Sequence, residues 1–393
     1  MDISPGIFEN TQVAFAGKSD GDLQKAKALF TIVGNNSFVK LGTALANFSL
    51  KLHLPVSPLF KWTVYNHFCG GETFDECTET IKGLAEQHVG VLLNYGIEFK
   101  ETEEDFDNAV AINIEALKFA GKHKAVKAVC VKPTGYGRLE LFEKVQRGEH
   151  LKGNEKKEYE RVLERFESLC EEADKHGTTI YIDAEESWIQ DALDKIAEDL
   201  MARFNKKRCV VANTFQLYRH DRLAYLQQQM EAAKKGGYVL GAKLVRGAYM
   251  EKERERAEKM GYPSPISKNK KAVDADFDAA VKLCLEHIDH THVCIASQSE
   301  KSNLLAMQLM DSMKINRGSE HVVFSQLYGM GDNVTFNQAR LGFTATKYLP
   351  YGPVKDVVPY LIRRAQENTS VAGQTGRELS LLQKEIKRRK NQK

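Results

Sequence analysis

The sequence predicts an α/β fold, a closed (βα)8 barrel preceded by an N-terminal helical region. Eight short runs rich in β-branched residues are nearly continuously apolar, as expected of strands that are buried on both faces of a parallel sheet. Amphipathic helical segments separate these runs. The repeating part of the chain, Val91 to Glu367, has 277 residues (367 − 91 + 1), a length close to the roughly 250 residues typical of such a barrel.

The predicted elements follow one another in a regular order. Residues 1–88 are expected to form a helical region, because apolar residues recur there at three- and four-residue spacing. The barrel occupies residues 89–376, and its strand candidates are Val89–Glu98, Ala125–Lys132, Thr178–Glu186, Arg208–Phe215, Tyr238–Gly247, His292–Ser297, His321–Leu327 and Phe343–Pro350. Residues 377–393 form a basic C-terminal tail, for which we expect a solvated helix end, with weak attraction to an anionic membrane surface as the alternative.

The composition excludes several classes of protein. The chain has 56 basic and 53 acidic residues, and a net charge of only +3 argues against a nucleic-acid-binding surface. Seven scattered cysteines without a CxxC pair are typical of reduced thiols, and no apolar run is long enough to span a membrane. We therefore expect a cytoplasmic protein that acts on small molecules, with peripheral attachment to the inner face of a membrane as a variant.

Polar side chains close most of the predicted strands. In a parallel barrel, ligands bind at the C-terminal ends of the strands. The residues at these ends are Glu98, Lys132, Asp183, Gln216, Lys243, Arg246, Ser297, Gln298, Gln326, Leu327 and Tyr348. Because the cations among them would repel one another, we expect an anionic ligand to bind there.

The last part of the predicted barrel carries two adjacent arginines. In the segment YLPYGPVKDVVPYLIRRAQEN, which starts at Tyr348, Arg363 and Arg364 lie at one level of a predicted helix. Two neighbouring guanidinium groups are suited to bind a carboxylate or a phosphate through paired hydrogen bonds. This pattern also indicates a small anionic ligand.

Four ordered motifs together resemble the proline dehydrogenase family. They are YIDAEES from Tyr181, KLVRGAYMEKERERA from Lys243, QLYGMGD from Gln326 and the segment from Tyr348 described above. The resemblance implies a distorted barrel that binds FAD and oxidises L-proline to Δ1-pyrroline-5-carboxylate by hydride transfer. It also implies a quinone as the electron acceptor and a chain with this single activity, the first step of proline catabolism.

The resemblance also implies roles for individual residues. Asp183 and Lys243 are the catalytic candidates, with Asp183 orienting the cationic cluster and Lys243 near flavin N5. The substrate contacts it implies are Lys132, Arg363 and Arg364 for the carboxylate, and Tyr249, Leu327 and Tyr348 for the ring. The cofactor contacts it implies are Lys243, Gln216, Arg246, Gly247, Ala248, Ser297, Gln298, Gln326, Arg364 and Glu367.

Alternatives stay open at this stage. A 4-hydroxyproline dehydrogenase would need space at the ring position that Tyr348 fills. A Schiff-base aldolase on the same barrel would use a desolvated lysine, with Lys132 or Lys243 as the candidates. Asp183 could also form an ordinary core ion pair with Lys132. No metal is expected, because the histidines at 287, 290 and 292 lack a cysteine or acidic ligand at a standard spacing.

Overall fold

The eight strands form one closed parallel barrel in sequence order, as predicted. The computed structural model describes residues 3–4, 6–34, 61–96, 101–354, 356–358, 360–362 and 374–392. The strands are β1 Gly90–Tyr95, β2 Val126–Val131, β3 Ile180–Ile182, β4 Val211–Gln216, β5 Leu240–Val245, β6 Thr291–Ala296, β7 Val322–Leu327 and β8 Ala345–Tyr351. Each strand lies within or next to its predicted run, and nearly all strand residues are buried, as their apolar sequences require.

Helices alternate with these strands in the described residues. They are α1 Thr11–Ala14, α2 Asp20–Val33, α3 Asn66–Phe68, α4 Phe74–Ala85, α5 Glu103–Lys122, α6 Leu139–Gln146, α7 Asn154–Lys175, α8 Ser187–Phe204, α9 Arg222–Gly236, α10 Met250–Met260, α11 Lys270–Glu286, α12 Glu300–Ser312, α13 Asp332–Arg340 and α14 Gln374–Lys390. A π-helical turn at Lys61–Tyr65 precedes α3. Residues 354, 356–358 and 360–362 are also helical.

The chain divides into two compact units. We call Met1–Glu98 together with Gln326–Lys393 the terminal unit, and Phe99–Ser325 the central unit. The central unit contains β2 to β6 and most of β7, together with the helices between them. The terminal unit contains β1, β8 and the N- and C-terminal helices.

The helices of the central unit form where caps and apolar spacing predict them. Helix α5 begins after Thr102, whose hydroxyl accepts a hydrogen bond from the Asp105 amide at 3.1 Å, and three acidic residues occupy its first turn. A side-chain cap and acidic residues both stabilise the N-terminus of a helix. The buried residues of this helix, which include Phe106, Val110 and Leu117, recur at three- or four-residue spacing and anchor one face in the core.

The C-terminal segment of the terminal unit packs on the protein with one face, while several of its basic residues and its last described residues are exposed. Helix α14 packs against α2, with Leu381 and Leu382 each 1% exposed. The buried carboxylate of Glu385 accepts hydrogen bonds from Arg388 and Arg389. The leucines hold this helix on the protein, and two of the basic residues are charge-paired. Fewer unneutralised basic side chains are therefore available to attract an anionic membrane than the sequence indicated.

Candidate active site

The end of β5 carries a buried lysine that is paired with a carboxylate. Lys243 is 5% exposed, and its Nζ donates a hydrogen bond to Oδ1 of Asp183 at 2.5 Å. Asp183 directly follows β3, where its backbone amide donates to the Val131 carbonyl at 2.9 Å. The structure therefore pairs Asp183 with Lys243, and the ion pair with Lys132 had been one alternative for Asp183. Lys132 is half-buried just after β2.

The environment of Lys243 keeps its side chain charged. Burial alone lowers the pKa of a lysine, but the attraction of Asp183, with smaller contributions from Cys130 and Cys294, outweighs burial. The pKa of Lys243 is therefore raised above its ordinary value of 10.5. At neutral pH this side chain is a fixed cation and not a proton acceptor.

A second network joins the end of β4 to the segment after β5. Gln216 at the end of β4 donates from Nε2 to the Glu185 carbonyl at 2.7 Å and accepts from the Ala248 amide at 3.1 Å. The hydroxyl of Tyr249 donates to Oε2 of Glu185 at 2.6 Å. Gln216 and Glu185 are buried, Tyr249 is half-buried and Ala248 is exposed. The network therefore reaches from the barrel core to an accessible backbone.

Arg246, one residue beyond β5, is held by three side chains. Its guanidinium donates to Asp274 at 2.8 Å, to Ser297 at 2.6 Å and to Ser302 at 2.9 Å. The same group lies 4.4 Å from the centre of the Phe277 ring. Ser297 is buried just after β6, and Gln298 next to it is half-buried. These contacts give the guanidinium one orientation, which a site for a charged ligand needs.

The charges at these strand ends are more balanced than the sequence indicated. Lys243 is paired with Asp183, and Arg246 is paired with Asp274. The expectation that unpaired cations require a bound anion therefore does not hold for these two residues. What the structure provides instead is a set of oriented hydrogen-bond donors.

Gly247 is required by a neighbouring aromatic ring. Its φ is +144°, and a Cβ placed there would lie 2.5 Å from ring atoms of Tyr218. The amide of Tyr218 also donates to the Arg246 carbonyl at 2.7 Å, which fixes the close approach. A glycine permits both the backbone angle and the contact. The resemblance had implied a cofactor contact for this glycine, and the structure gives a packing reason within the chain itself.

Three predicted site residues lie at strand ends of the terminal unit. Gln326 is buried and accepts a hydrogen bond from the Thr335 hydroxyl at 2.7 Å. Tyr348 is buried in β8, and its carbonyl accepts from the Tyr328 amide at 3.0 Å, while Leu327 is half-buried. Glu98, Arg363, Arg364 and Glu367 lie outside the described residues.

The terminal unit also contains a buried charged cluster that sequence reasoning missed. Asp332 accepts from Lys18 and from Lys347, each at 2.8 Å. Burial raises the pKa of Asp332, but the two lysines outweigh it and hold this pKa well below its usual range. Burial and the nearby Asp332 raise the pKa of Glu378, which accepts from the Gly331 amide at 2.6 Å, to about 7. The isolated lysine within the apolar run FTATKYLP was the available signal.

A cavity of about 1130 Å³ lies beside this cluster in the terminal unit. Lys18, Asp332 and Lys347 line it, together with His67 and the apolar residues of α2 and α4. Burial, and then the charge of Lys18, lower the pKa of His67 to about 4, so its ring is neutral at physiological pH. Within the described part of the chain, no helix has the length and apolarity needed to cross a bilayer.

Comparison with known proteins places this arrangement in a family. The sequence profile described as proline dehydrogenase matches residues 77–377, which contain all the strands and the strand-end residues. The chain belongs to the proline dehydrogenase family. It is therefore an enzyme of that family, which is FAD-dependent.

Several proline dehydrogenases and one biosynthetic protein are similar in sequence. The chain is 39% identical to mitochondrial proline dehydrogenase 1 of Caenorhabditis elegans, covering 61% of this chain and 40% of that protein. It is 36% identical to the corresponding Homo sapiens protein, covering 58% of this chain and 39% of the human protein. It is 31% identical to the carbapenem antibiotics biosynthesis protein CarD of Pectobacterium carotovorum subsp. carotovorum, covering 89% of this chain and 91% of CarD.

The fold resembles solved structures of proline utilization A. The protein from Bdellovibrio bacteriovorus, inactivated by N-propargylglycine, matches with a TM-score of 0.76 at 18% identity, over 94% of this chain and 43% of that chain. The Corynebacterium freiburgense protein matches with a TM-score of 0.67 at 21% identity, over 89% of this chain and 35% of that chain. This proline dehydrogenase homologue thus spans less than half the length of those proteins and of the nematode and human relatives.

Proposed function

We propose that this enzyme oxidises L-proline to Δ1-pyrroline-5-carboxylate, with FAD as its cofactor and a quinone as the electron acceptor. Family membership supports the reaction class. The observation that carries the proposal is the pairing of Lys243 with Asp183 at the barrel end, next to the Gln216 network. The resemblance of the sequence motifs implies that the flavin and its substrate would bind beside these residues.

The residues present fit FAD by the chemistry of their donors. Lys243 and Arg246 are oriented cations on one strand end, and Gln216 supplies an amide beside them. An oriented guanidinium suits the pyrophosphate, while an ammonium and an amide suit the polar edge of an isoalloxazine near N5. Gly247 and Ala248 are exposed at the same strand end, so their backbone is accessible. FAD, when bound there, supplies the two-electron acceptor for the oxidation of the proline ring.

The residues of the chain would control charge around the substrate. Proline enters as an ammonium carboxylate, and its nitrogen must lose a proton before the adjacent C–H bond can be oxidised. Because Asp183 balances the charge of Lys243, the cations that would disfavour a second positive charge are those proposed to bind the carboxylate, Lys132, Arg363 and Arg364. They would lower the pKa of the substrate amine. That proton goes to solvent, because Lys243 is already protonated. Asp183 holds the Lys243 ammonium in place.

The remaining assignments rest on the sequence motifs. Lys132, Arg363 and Arg364 would hold the proline carboxylate, while Tyr249, Leu327 and Tyr348 would line the ring. Ser297, Gln298, Gln326 and Glu367 would complete the cofactor contacts. Tyr348 is a bulky side chain at the position that a 4-hydroxyl group would need, which favours proline over 4-hydroxyproline.

One observation argues against the aldolase alternative at Lys243. A lysine that forms a Schiff base must be neutral to attack a carbonyl, and enzymes lower its pKa for this purpose. The carboxylate of Asp183 raises the pKa of Lys243 instead. Lys243 is therefore a poor nucleophile in this environment.

An anaerobic titration of the purified protein tests the proposal. L-Proline should bleach the flavin absorbance, trans-4-hydroxy-L-proline should bleach it far less, and a water-soluble quinone should restore the oxidised spectrum. A protein that binds no flavin under FAD supplementation, or one that L-proline does not reduce, would contradict the proposal. Covalent trapping of a carbonyl compound by borohydride on Lys132 or Lys243 would support the aldolase instead.

A further inference from the structure

The loop after β3 and the segment that begins at the end of β5 contact each other through four successive side-chain pairs. We call this set of pairs the clasp. The pairs are Asp183 with Lys243, Glu185 with Tyr249, Glu186 with Lys252, and Ser187 with Glu253. They lie in the same order along both segments, from the strand end to the first turn of α10.

The outer part of the clasp fixes helix α10 to helix α8. The carboxylate of Glu253, which is 0% exposed, accepts from both the amide and the hydroxyl of Ser187 at 2.6 Å. Ser187 is the first residue of α8, so a carboxylate from a neighbouring helix satisfies the free amide there. This contact sets the position at which α10 begins, one residue after Tyr249.

Glu185 is the most connected residue of the clasp. Its two carboxylate oxygens accept from the Tyr249 hydroxyl at 2.6 Å and from the Thr134 hydroxyl at 3.1 Å. Its amide donates to Gln190 at 2.8 Å, and its carbonyl accepts from Gln216 at 2.7 Å. The residue is 2% exposed, so its carboxylate depends on these donors for stabilisation. It thereby connects four separate segments of the central unit.

Two of these connections lead to groups with a proposed role in the reaction. The carboxylate orients the hydroxyl of Tyr249, whose half-buried ring is the predicted wall of the proline pocket. The carbonyl orients Gln216, which in turn accepts from the Ala248 amide at 3.1 Å. The side chain of Glu185 thus acts on the substrate side, and its backbone acts on the cofactor side. A substitution of the Glu185 side chain therefore removes the hydrogen bond to Tyr249 and keeps the backbone hydrogen bond to Gln216.

We propose that Glu185 is a positioning residue that sets the affinity for proline by holding the Tyr249 ring in place. The proposal rests on the function proposed above, because it takes Tyr249 to contact the substrate. The carboxylate of Glu185 accepts from Tyr249 and Thr134, so in this proposal it acts on the substrate through Tyr249.

The test compares steady-state kinetics of four variants that retain flavin. Glu185→Ala removes the acceptor, and KM for L-proline should rise about tenfold with kcat within about twofold, since this is the usual effect of losing one hydrogen bond. Tyr249→Phe removes only the hydroxyl and should raise KM equally. The double variant should show no further rise, because both changes break one hydrogen bond. Glu185→Gln should restore KM, since its amide oxygen accepts from Tyr249 and its amide nitrogen donates to the Thr134 hydroxyl.

Glu186→Gln is the matched control. It changes the adjacent carboxylate of the clasp, which pairs with Lys252, and should leave KM near that of the unsubstituted enzyme. The proposal is overturned if Glu185→Ala or Tyr249→Phe leaves KM unchanged, if Gln fails to rescue, if the double variant is additive, or if Glu186→Gln gives the same rise. If Glu185→Ala does not fold, the Tyr249→Phe and Glu185→Gln results decide. An unsubstituted protein without flavin or proline turnover would refute the proposed function itself, which separates the two failures.

Discussion

Removing one member of the Lys243–Asp183 pair should destabilise the protein more than removing both. The side chains are only 6% and 15% exposed, so removing either one would leave the other charge largely desolvated and without the counter-charge that it contacts here. Breaking such a buried pair costs about 3–5 kcal/mol, whereas replacing both partners by neutral groups costs much less. For a unit as large as the central unit, the loss of stability in each single variant corresponds to a fall in Tm of roughly 6–20 °C.

The double-mutant cycle uses Asp183→Asn, Lys243→Met and the combined variant, each unfolded thermally and with urea in saturating FAD. The exposed pair of Lys195 with Asp199, whose side chains are 66% and 63% exposed, is the matched control. The coupling energy of this exposed pair should be about 0.5 kcal/mol or less, because water screens the attraction between the two charges. The reasoning would be refuted if each single variant lowered the free energy of unfolding by less than about 1 kcal/mol. It would also be refuted if the loss in the double variant equalled the sum of the two single losses.

The sign of the pH dependence follows from the direction of the pKa shift at Lys243. A lysine whose pKa is raised on folding contributes stability that is fully present below the ordinary value of 10.5 and is lost only as pH rises through the higher folded value. The coupling energy should therefore stay constant between about pH 6 and 9. Lys243 cannot explain any loss of stability in that range.

Two further predictions concern a glycine and a buried acid. Gly247→Ala should lower the free energy of unfolding by about 2–4 kcal/mol, because it combines an unfavourable φ with a clash against Tyr218. Gly261→Ala is the control, since its φ is +73° but the space around it is open, and it should cost only about 1–2 kcal/mol. Equal costs in thermal unfolding would contradict the clash. Since the folded pKa of Glu378 is raised from 4.5 to about 7, its contribution to stability is present below pH 4.5 and is lost as pH rises through 7. Glu378→Gln keeps the acceptor for Gly331, so its Tm relative to the unsubstituted protein should increase from acid to neutral pH; parallel Tm profiles would contradict this.

The barrel was predictable because its strands must be apolar on both faces. Runs such as AVKAVCVK and RCVVANTF leave a parallel, doubly covered sheet as the natural way to bury them, and eight of them fill a barrel. The polar residues that close these runs were predictable for the same reason, since a polar residue after such a run marks the strand end. Asp183 and Gln216 were placed at strand ends for this reason, whereas Lys243 lies within β5, and the roles of all three in a site stay predictions.

The partners of these residues were not predictable from local patterns. Asp274 pairs with Arg246, but in the sequence it is one of several acidic residues on the amphipathic helix α11. Nothing in its spacing distinguishes it from a solvated residue. Glu185 likewise stands in the motif DAEES beside another glutamate, and only the fold shows which of the two accepts from Tyr249. Such choices depend on how distant segments meet, which hydrophobic periodicity does not encode.

The position of the C-terminal helix was also not predictable from its local sequence. Its sequence ends in four basic residues within QKEIKRRK, and charge alone predicts a solvated end. Leu381 and Leu382 outweigh that charge, since burying two leucines contributes several kcal/mol, and Glu385 provides a counter-charge inside the helix. The mean charge of a short segment therefore says little about where it lies when a few apolar residues share one face.

Charge pairing at the strand ends changes how an anionic cofactor would be recognised. If the cations were unpaired, attraction would come from net positive charge and would weaken strongly with salt. Lys243 and Arg246 instead each have a carboxylate in contact, so the local net charge is small. Recognition must then depend on the direction of individual donors, which Asp183, Asp274, Ser297 and Ser302 hold in place before any ligand arrives. In the proposed cofactor site these carboxylates would therefore contribute to binding, because they orient the cations at the cost of some of their long-range attraction.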